Sequence, residues 1–332
     1  MVKKILLIGP SYFNYNQSIA SAFDKDKFAV KIIDYSDLFG QKKLINKISY
    51  FLSRNKAKTT QKLLVKFNRF ITKAYLQYHP DIVMIIKGDV IFEKTVLEMT
   101  ESKNILWMLD GIFYYPQSVK LADIMDAVFL FEKSDVEKVK KINGNTYYLP
   151  PSYDEQIFRK LQLKKDIDLL FIGTLYDSRI KLFEKLHKKF PKLNMKIFCK
   201  RYSLYKNPIK YLKSLSDKIF INQFVTPTEA NILYNRSKVC LNIHHEQSVY
   251  GVNPRFFEIY GANALQFVDR KPFIDEYFSG YNVRTYKSEE ELFEMISTKF
   301  NNNIQEDDQN LYETVCNHHT FRNRIDRILD KI

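Results

Sequence analysis

Leu169-Leu170-Phe171-Ile172-Gly173 places four consecutive large apolar side chains directly before a glycine. An apolar run that short, with no polar face, suits a strand covered on both sides, as in a parallel sheet. Ile180, Phe183, Leu186 and Phe190 follow at spacings of three and four, the stripe of an amphipathic helix. Further strand-length runs come at Met195 to Cys199, Ile219 to Ile221, Val239 to Ile243 and Ala264 to Val268. The same alternation occurs upstream, with runs at Ile5 to Ile8, Val30 to Ile33, Ile82 to Ile86, Ile105 to Met108 and Val128 to Phe131. Strands alternating with amphipathic stretches predict an α/β protein of doubly wound parallel sheets. Between the two series, Tyr147-Tyr148-Leu149-Pro150-Pro151-Ser152 carries two prolines that cannot donate to a sheet ladder, and reads as a linker. The sequence therefore predicts Rossmann-like domains over 1–150 and 151–317 and a closing helix over 318–332. In that helix Phe321, Ile325, Ile328, Leu329 and Ile332 share one face, and Arg322, Arg324 and Arg327 are expected off it.

A chain of 332 residues, 45% hydrophobic and 27% charged, has the composition of a globular protein with room for two such domains. No apolar run approaches the ~20 residues of a membrane span. The four apolar residues after Lys3 and Lys4 fall short of the ~7–15 in a secretory leader, so they read as a first strand. Cys199, Cys240 and Cys316 are odd in number and scattered, which argues against a disulfide framework or zinc site and for a cytoplasmic protein. With only 9 glycines, neither the dinucleotide fingerprint nor the Walker pattern is present.

Lysine and arginine exceed aspartate and glutamate by 52 to 38, a net charge of +14. Ten of those cations lie between Asp37 and Asp81, a stretch without one acidic residue. From Gln41 to Tyr78 they interleave with Leu44, Ile45, Ile48, Phe51 and Leu52, then with Leu63, Leu64, Phe67, Phe70, Ile71 and Tyr75. This spacing predicts two amphipathic helices with basic outer faces, either solvated or lying on an anionic membrane surface. No helix-turn-helix, RNP or zinc-finger pattern accompanies the charge, so nucleic acid is not the expected partner.

The segment with most chemistry is Leu241-Asn242-Ile243-His244-His245, a short loop, then Gly251-Val252-Asn253-Pro254-Arg255-Phe256-Phe257-Glu258. Asn253 before Pro254 gives an N-cap and a first-turn proline, so a helix starts there. A helix N-terminus presents N–H donors and partial positive charge, which suits a diphosphate. Arg255 can add a bidentate phosphate contact, and Glu258 can accept from the two hydroxyls of a ribose. The other reading is an ordinary i,i+3 surface pair. His244 and His245 are further candidates to face a ligand. Asp110, closing an apolar strand before Gly111, is the leading candidate for a general base, or else a turn aspartate.

The motifs Lys238-Val239-Cys240-Leu241-Asn242-Ile243-His244, Asn253-Pro254-Arg255-Phe256-Phe257-Glu258, Glu290-Glu291-Leu292 and His319-Thr320-Phe321-Arg322-Asn323-Arg324 resemble the CgeB-like glycosyltransferases of the spore-maturation type. Looser matches are Trp107-Met108-Leu109-Asp110, Tyr148-Leu149-Pro150 and Asp168 to Gly173 followed by Arg179. The resemblance implies a GT-B fold, two Rossmann-like domains facing across a cleft, with the last helix packing back toward the first. It implies a nucleoside diphosphate sugar, of UDP type, held mainly by the second domain, a glycan or lipid-linked acceptor held by the first, and no metal. It further places Gly173 and Thr174 near the donor phosphates with Arg179 reaching in, and Phe224 and Val225 at the nucleobase. On chemistry alone Gly173 has the alternative of a tight strand-to-helix turn, Phe224 and Val225 serve equally as core, and Lys200 and Arg201 read as solvated charge. Two positions depart from the family: Tyr250 stands where related enzymes have the first of two glutamates, and Asn263 where a small residue is usual. The departure at Tyr250 keeps open a non-catalytic nucleotide- or sugar-binding module. The loop Gly9-Pro10-Ser11-Tyr12 is expected on the acceptor side.

Overall fold

The computed structural model describes residues 2–10, 12–35, 56–202, 207–214, 217–245, 248–301 and 308–332. Ser11 and the first of the two expected basic helices lie outside the described residues. The chain divides into two compact units: Met1–Pro151 with Gln247–Gly251 and Phe321–Ile332, and Ser152–Glu246 with Val252–Thr320.

The first unit is a sheet of β1 (Lys3–Gly9), β2 (Phe28–Asp34), β3 (Ile82–Ile86), β4 (Lys103–Met108), β5 (Ala127–Leu130) and β6 (Thr146–Tyr148), in the order β2-β1-β3-β4-β5-β6. Every pairing is parallel. Successive side chains of a strand point to opposite faces, and both faces are filled. Leu6, Ile8, Val83 and Ile85 meet Phe67 and Ile71 of the helix Lys56–Tyr78 on one side. Ile5, Leu7, Met84 and Ile86 share the other with Phe321, Ile325 and Ile328 of the C-terminal helix Phe321–Leu329. The closing helix thus covers the sheet of the first unit.

The second unit repeats the plan with β7 (Ile167–Ile172), β8 (Met195–Phe198), β9 (Phe220–Ile221), β10 (Ser237–Asn242), β11 (Gln266–Asp269) and β12 (Arg284–Tyr286), all parallel, in the order β12-β11-β10-β7-β8-β9. The architecture is the expected pair of doubly wound α/β sheets. The strands absent from the sequence reading are β6 and β12, three residues each at sheet edges. Tyr147 and Tyr148, read as the start of the linker, pair with Phe129 and Leu130.

One face assignment in the C-terminal helix is corrected. Arg324, expected on the solvent side, is fully buried. Its Nε donates to the Pro150 carbonyl at 2.7 Å, and its Nη2 to the Pro151 carbonyl at 2.8 Å. A guanidinium tolerates burial when its donors are satisfied. Burial pulls its pKa down to about 9, which leaves it charged at neutral pH.

The helix Lys56–Tyr78 buries Phe67, Ile71, Ala74 and Tyr75 and exposes Lys58, Lys62, Lys66, Arg69 and Lys73, with Phe70 and Leu76 also exposed. Among the described residues no helix is long and apolar enough to cross a membrane.

Candidate functional site

In the second unit the chain runs from β7 outward to β8 and β9, then returns to β10 on the other side of β7. That reversal makes the carboxyl ends of β7 and β10 the switch point, where open α/β sheets bind ligands. Gly173 and Thr174 follow β7, and Ile243 and His244 follow β10.

The helix Pro254–Gly261 is fixed to this edge by amides. Asn253 is the N-cap, its Oδ1 accepting from the Phe256 N–H at 3.1 Å. Its Nδ2 donates to Asn242 Oδ1 at 2.8 Å, and Asn242 Nδ2 donates to Gln266 Oε1 at 2.8 Å. Gln266 Nε2 closes the chain on the Phe256 carbonyl at 3.1 Å. Asn242 and Gln266 are fully buried, so the network sets the helix start against the ends of β10 and β11 with its polar atoms satisfied. The expected cap is present, with fewer open donors than expected: Pro254 has no N–H, and Asn253 takes that of Phe256.

Two guanidinium groups stand at this edge. Arg179 is 9% exposed and bridges the switch point, Nη1 donating to the Thr174 carbonyl at 2.7 Å and Nη2 to that of Ile243 at 2.8 Å. Its guanidinium also lies over the rings of Phe171 and Tyr176, at 5.5 and 5.0 Å. Arg255 is half-buried on the first helical turn. A methyl placed on Gly173 would sit 3.6 Å from Arg255 Nη1 and 2.9 Å from the Phe171 ring tip. Gly173 is not among the residues with positive φ, so this close approach, rather than a left-handed turn, is what calls for glycine. Burial lowers the pKa of Arg179, and the charge of Arg255 lowers it further. Two cations held together against mutual repulsion form a site that an anion would relieve.

Glu258, one turn beyond Arg255, accepts from the hydroxyl of buried Tyr234 at 3.4 Å. Burial raises its pKa, and Arg255 opposes the shift. His244 is pinned by Asp269, whose Oδ1 accepts from the His244 backbone N–H at 2.8 Å and lies 2.7 Å from ring Nδ1. Its side chain is fully buried. Burial lowers its pKa despite Asp269, with Lys271 and Arg179 adding to the lowering, so the imidazole is neutral and donates from Nδ1. His245 instead meets the Tyr176 ring at 4.8 Å.

Gly173, Arg179, Asn253, Arg255 and His244 therefore come together around the ends of β7 and β10, with Thr174 exposed beside them. Phe224 and Val225 follow β9, two strands from β7. Phe224 is exposed and Val225 buried. Lys200 and Arg201 follow β8 and are exposed, Arg201 lying over the Tyr202 ring.

In the first unit Asp110 is exposed two residues past β4, within 3.4 Å of the Tyr115 hydroxyl. Tyr250 groups with that unit, its backbone N–H donating at 3.1 Å to Glu132, which is 4% exposed and also takes the Gly251 N–H at 3.3 Å. Where related enzymes carry a glutamate, this chain thus has a tyrosine whose backbone is tied to a buried one. Gln266, Asp269 and Glu132 were absent from the sequence reading, which quoted Asn242 without giving it a role. A polar residue inside or just after an apolar strand was the available signal. Among the described residues no group of three or more His, Cys, Asp or Glu could hold a metal ion.

Residues 179–330 match the family described as glycosyl transferase-like, a little under half of the chain. No curated protein matches it in sequence. Among solved structures, sucrose-phosphate synthase from Thermosynechococcus elongatus superimposes with a TM-score of 0.68 at 12% identity, covering 99% of this chain and 98% of that one. UDP-forming α,α-trehalose-phosphate synthase from Burkholderia xenovorans gives 0.62 at 10% identity, covering 100% and 98%. UDP-GlcNAc 2-epimerase from Methanocaldococcus jannaschii gives 0.56 at 14% identity, covering 99% of each chain. The fold is GT-B, and its second unit carries most of the glycosyl transferase-like match.

Proposed function

We propose that the chain is a glycosyltransferase that takes a sugar from a nucleoside diphosphate sugar, of UDP type, and passes it to a glycan or lipid-linked saccharide. The observation that carries this reading is the convergence of Arg179 and Arg255 on the Gly173 turn at the switch point, beside a capped helix start. The diphosphate rests between the two guanidinium groups, and Glu258 takes the ribose hydroxyls. As the bond from anomeric carbon to phosphate oxygen breaks, charge gathers on the diphosphate, where fixed cations stabilise it. The new bond forms to an acceptor oxygen, whose proton passes to a carboxylate base, the role for which Asp110 is the candidate. Neutral His244, immobilised by Asp269, fixes the end of β10 rather than carrying the proton.

The glycosyl transferase-like match supports transfer. The fold alone does not decide, since an epimerase shares it. The basic face of the helix Lys56–Tyr78 supports an anionic lipid surface as a further partner, at about 1 kcal/mol per cation near the bilayer. Co-sedimentation with phosphatidylglycerol vesicles, lost when Lys62, Lys66 and Arg69 become glutamine, checks that part; no sedimentation of the unaltered chain removes it.

Nucleotide binding is tested by melting the protein with UDP, GDP, ADP and dTDP. A ligand at 100 times its Kd adds about 2.7 kcal/mol to the folded state. UDP should raise the melting temperature by several degrees. No rise with any of the four would defeat the reading.

A further inference from the structure

The strands of the second unit are all parallel, so one edge of its sheet carries the carboxyl ends and the opposite edge the amino ends. The paired arginines stand at the first of these edges. Residues 278–282 lead into β12 and so lie at the second. Between them and the helix Gln309–His318 runs an open groove of about 490 Å³. That is within the ~300–1,000 Å³ common to ligand sites.

One wall is the helix face of Asn310, Glu313, Thr314, Asn317 and His318, at the spacings of three and four that align side chains. Tyr281 supplies the other. The two walls are joined directly: the Thr314 hydroxyl donates to the Tyr281 hydroxyl at 2.9 Å, and the Asn282 N–H donates at 2.8 Å to Asp308, the cap of the helix. The Tyr281 ring packs 5.8 Å from that of buried Phe278, and Gln309 donates to Glu313 Oε1 at 2.7 Å. A groove fixed in this way loses little freedom when a ligand enters.

A helix face that met only water would be expected to carry the charge found elsewhere on this chain. Lysine and arginine make up 52 of 332 residues, yet among the described residues none lines the groove. Its lining is amide, hydroxyl, phenol and imidazole, with the carboxylate of Glu313.

We propose that this groove binds a neutral saccharide chain. Neighbouring sugar hydroxyls both give and take hydrogen bonds, and amides beside a carboxylate and hydroxyls can answer both. The C–H faces of a pyranose lie against an aromatic ring such as that of Tyr281. Glu313, with Asp308 at the start of the same helix, repels a phosphate or a uronic acid. The paired arginines across the sheet suit the opposite charge. A saccharide held at the amino edge is clear of the diphosphate edge, so the groove would grip a part of a glycan that is not reacting. The chemistry of the groove does not depend on the transferase reading.

The test is retention of the full chain on an array of neutral linear oligosaccharides of glucose, galactose, mannose and N-acetylglucosamine, beside phosphorylated and uronic-acid chains. Neutral chains should be retained and charged ones not. The best-retained chain should slow hydrogen exchange in residues 279–282 and 309–318. Asn310→Ala combined with Asn317→Ala, both at exposed positions, should weaken retention about tenfold or more. The melting temperature and its rise with UDP should stay as they are in the unaltered chain. Absence of any retained neutral chain, equal retention of charged chains, or slowed exchange only elsewhere in the molecule overturns the assignment. So does binding by the double variant within about twofold of normal. Each of those results leaves the UDP shift, and with it the transferase reading, standing; a saccharide-binding groove without a UDP shift has the reverse meaning.

Discussion

Replacing Arg255 by alanine should lower the affinity for UDP by about a hundredfold or more, read by calorimetric titration. Hydrogen bonds to charged groups contribute about 1.5–3 kcal/mol each, a guanidinium can give a phosphate two, and each 1.4 kcal/mol is tenfold in Kd. The same change should leave the melting temperature of the ligand-free protein within a few degrees. Removing Arg255 takes away its repulsion of Arg179, which stabilises, and removes the cation that opposes the raised pKa of Glu258, which destabilises. Lys200→Ala, at an exposed position one strand away, should change neither quantity. UDP affinity within a few-fold of normal in the Arg255→Ala protein would remove the basis for placing the diphosphate at Gly173.

The second large effect is on stability. Arg324→Ala should cost the folded first unit about 3–5 kcal/mol, since each buried carbonyl left without its donor costs about 1–3 kcal/mol and the unfilled volume adds to it. Arg324 holds the carbonyls of Pro150 and Pro151, where the first unit passes into the second, and alanine leaves those acceptors buried with a void in place of the guanidinium. At about 2–4 °C per kcal/mol the melting transition should fall by about 10 °C. Arg324→Lys should recover little, because one ammonium cannot repeat the planar fork that reaches both carbonyls. Calorimetry decides: melting within a degree or two of the normal protein would mean that the buried guanidinium does not hold the linker.

These two arginines show where sequence reasoning reaches and where it stops. Arg255 could be placed because local chemistry surrounds it: an asparagine cap and a proline fix the helix start, and i,i+3 spacing sets Glu258 one turn on. Arg324 was misplaced because helical periodicity sorts positions by apolar neighbours, and nothing along the chain shows that two proline carbonyls wait for its donors. The strands followed a similar rule. Ile82 to Ile86 stood out because five buried apolar residues in a row leave no alternative. Thr146–Tyr148 and Arg284–Tyr286 did not, because an edge strand of three residues need not be apolar, and the prolines after Tyr148 read as a break.

The candidate sites follow the same division. Gly173, Arg179 and Arg255 lie on separate elements: the helix start pointed to Arg255, the family resemblance to Gly173 and Arg179, and the fold sets the three at one edge. The amides of Asn242, Asn253 and Gln266 could be interpreted only once β10 and β11 were seen to be neighbours. The groove beside Tyr281 gave no sequence signal, because Asn310, Glu313, Thr314 and Asn317 read as an ordinary polar helix face until Tyr281 is seen against Thr314.

The central claim, that a sugar donor's diphosphate lies between Arg179 and Arg255 at the carboxyl ends of β7 and β10, is tested most directly by a crystal structure of the chain grown with UDP. The account predicts phosphate oxygens within hydrogen-bond distance of both guanidinium groups and ribose hydroxyls on Glu258. A nucleotide bound elsewhere, with Arg179 and Arg255 touching only protein, would contradict it.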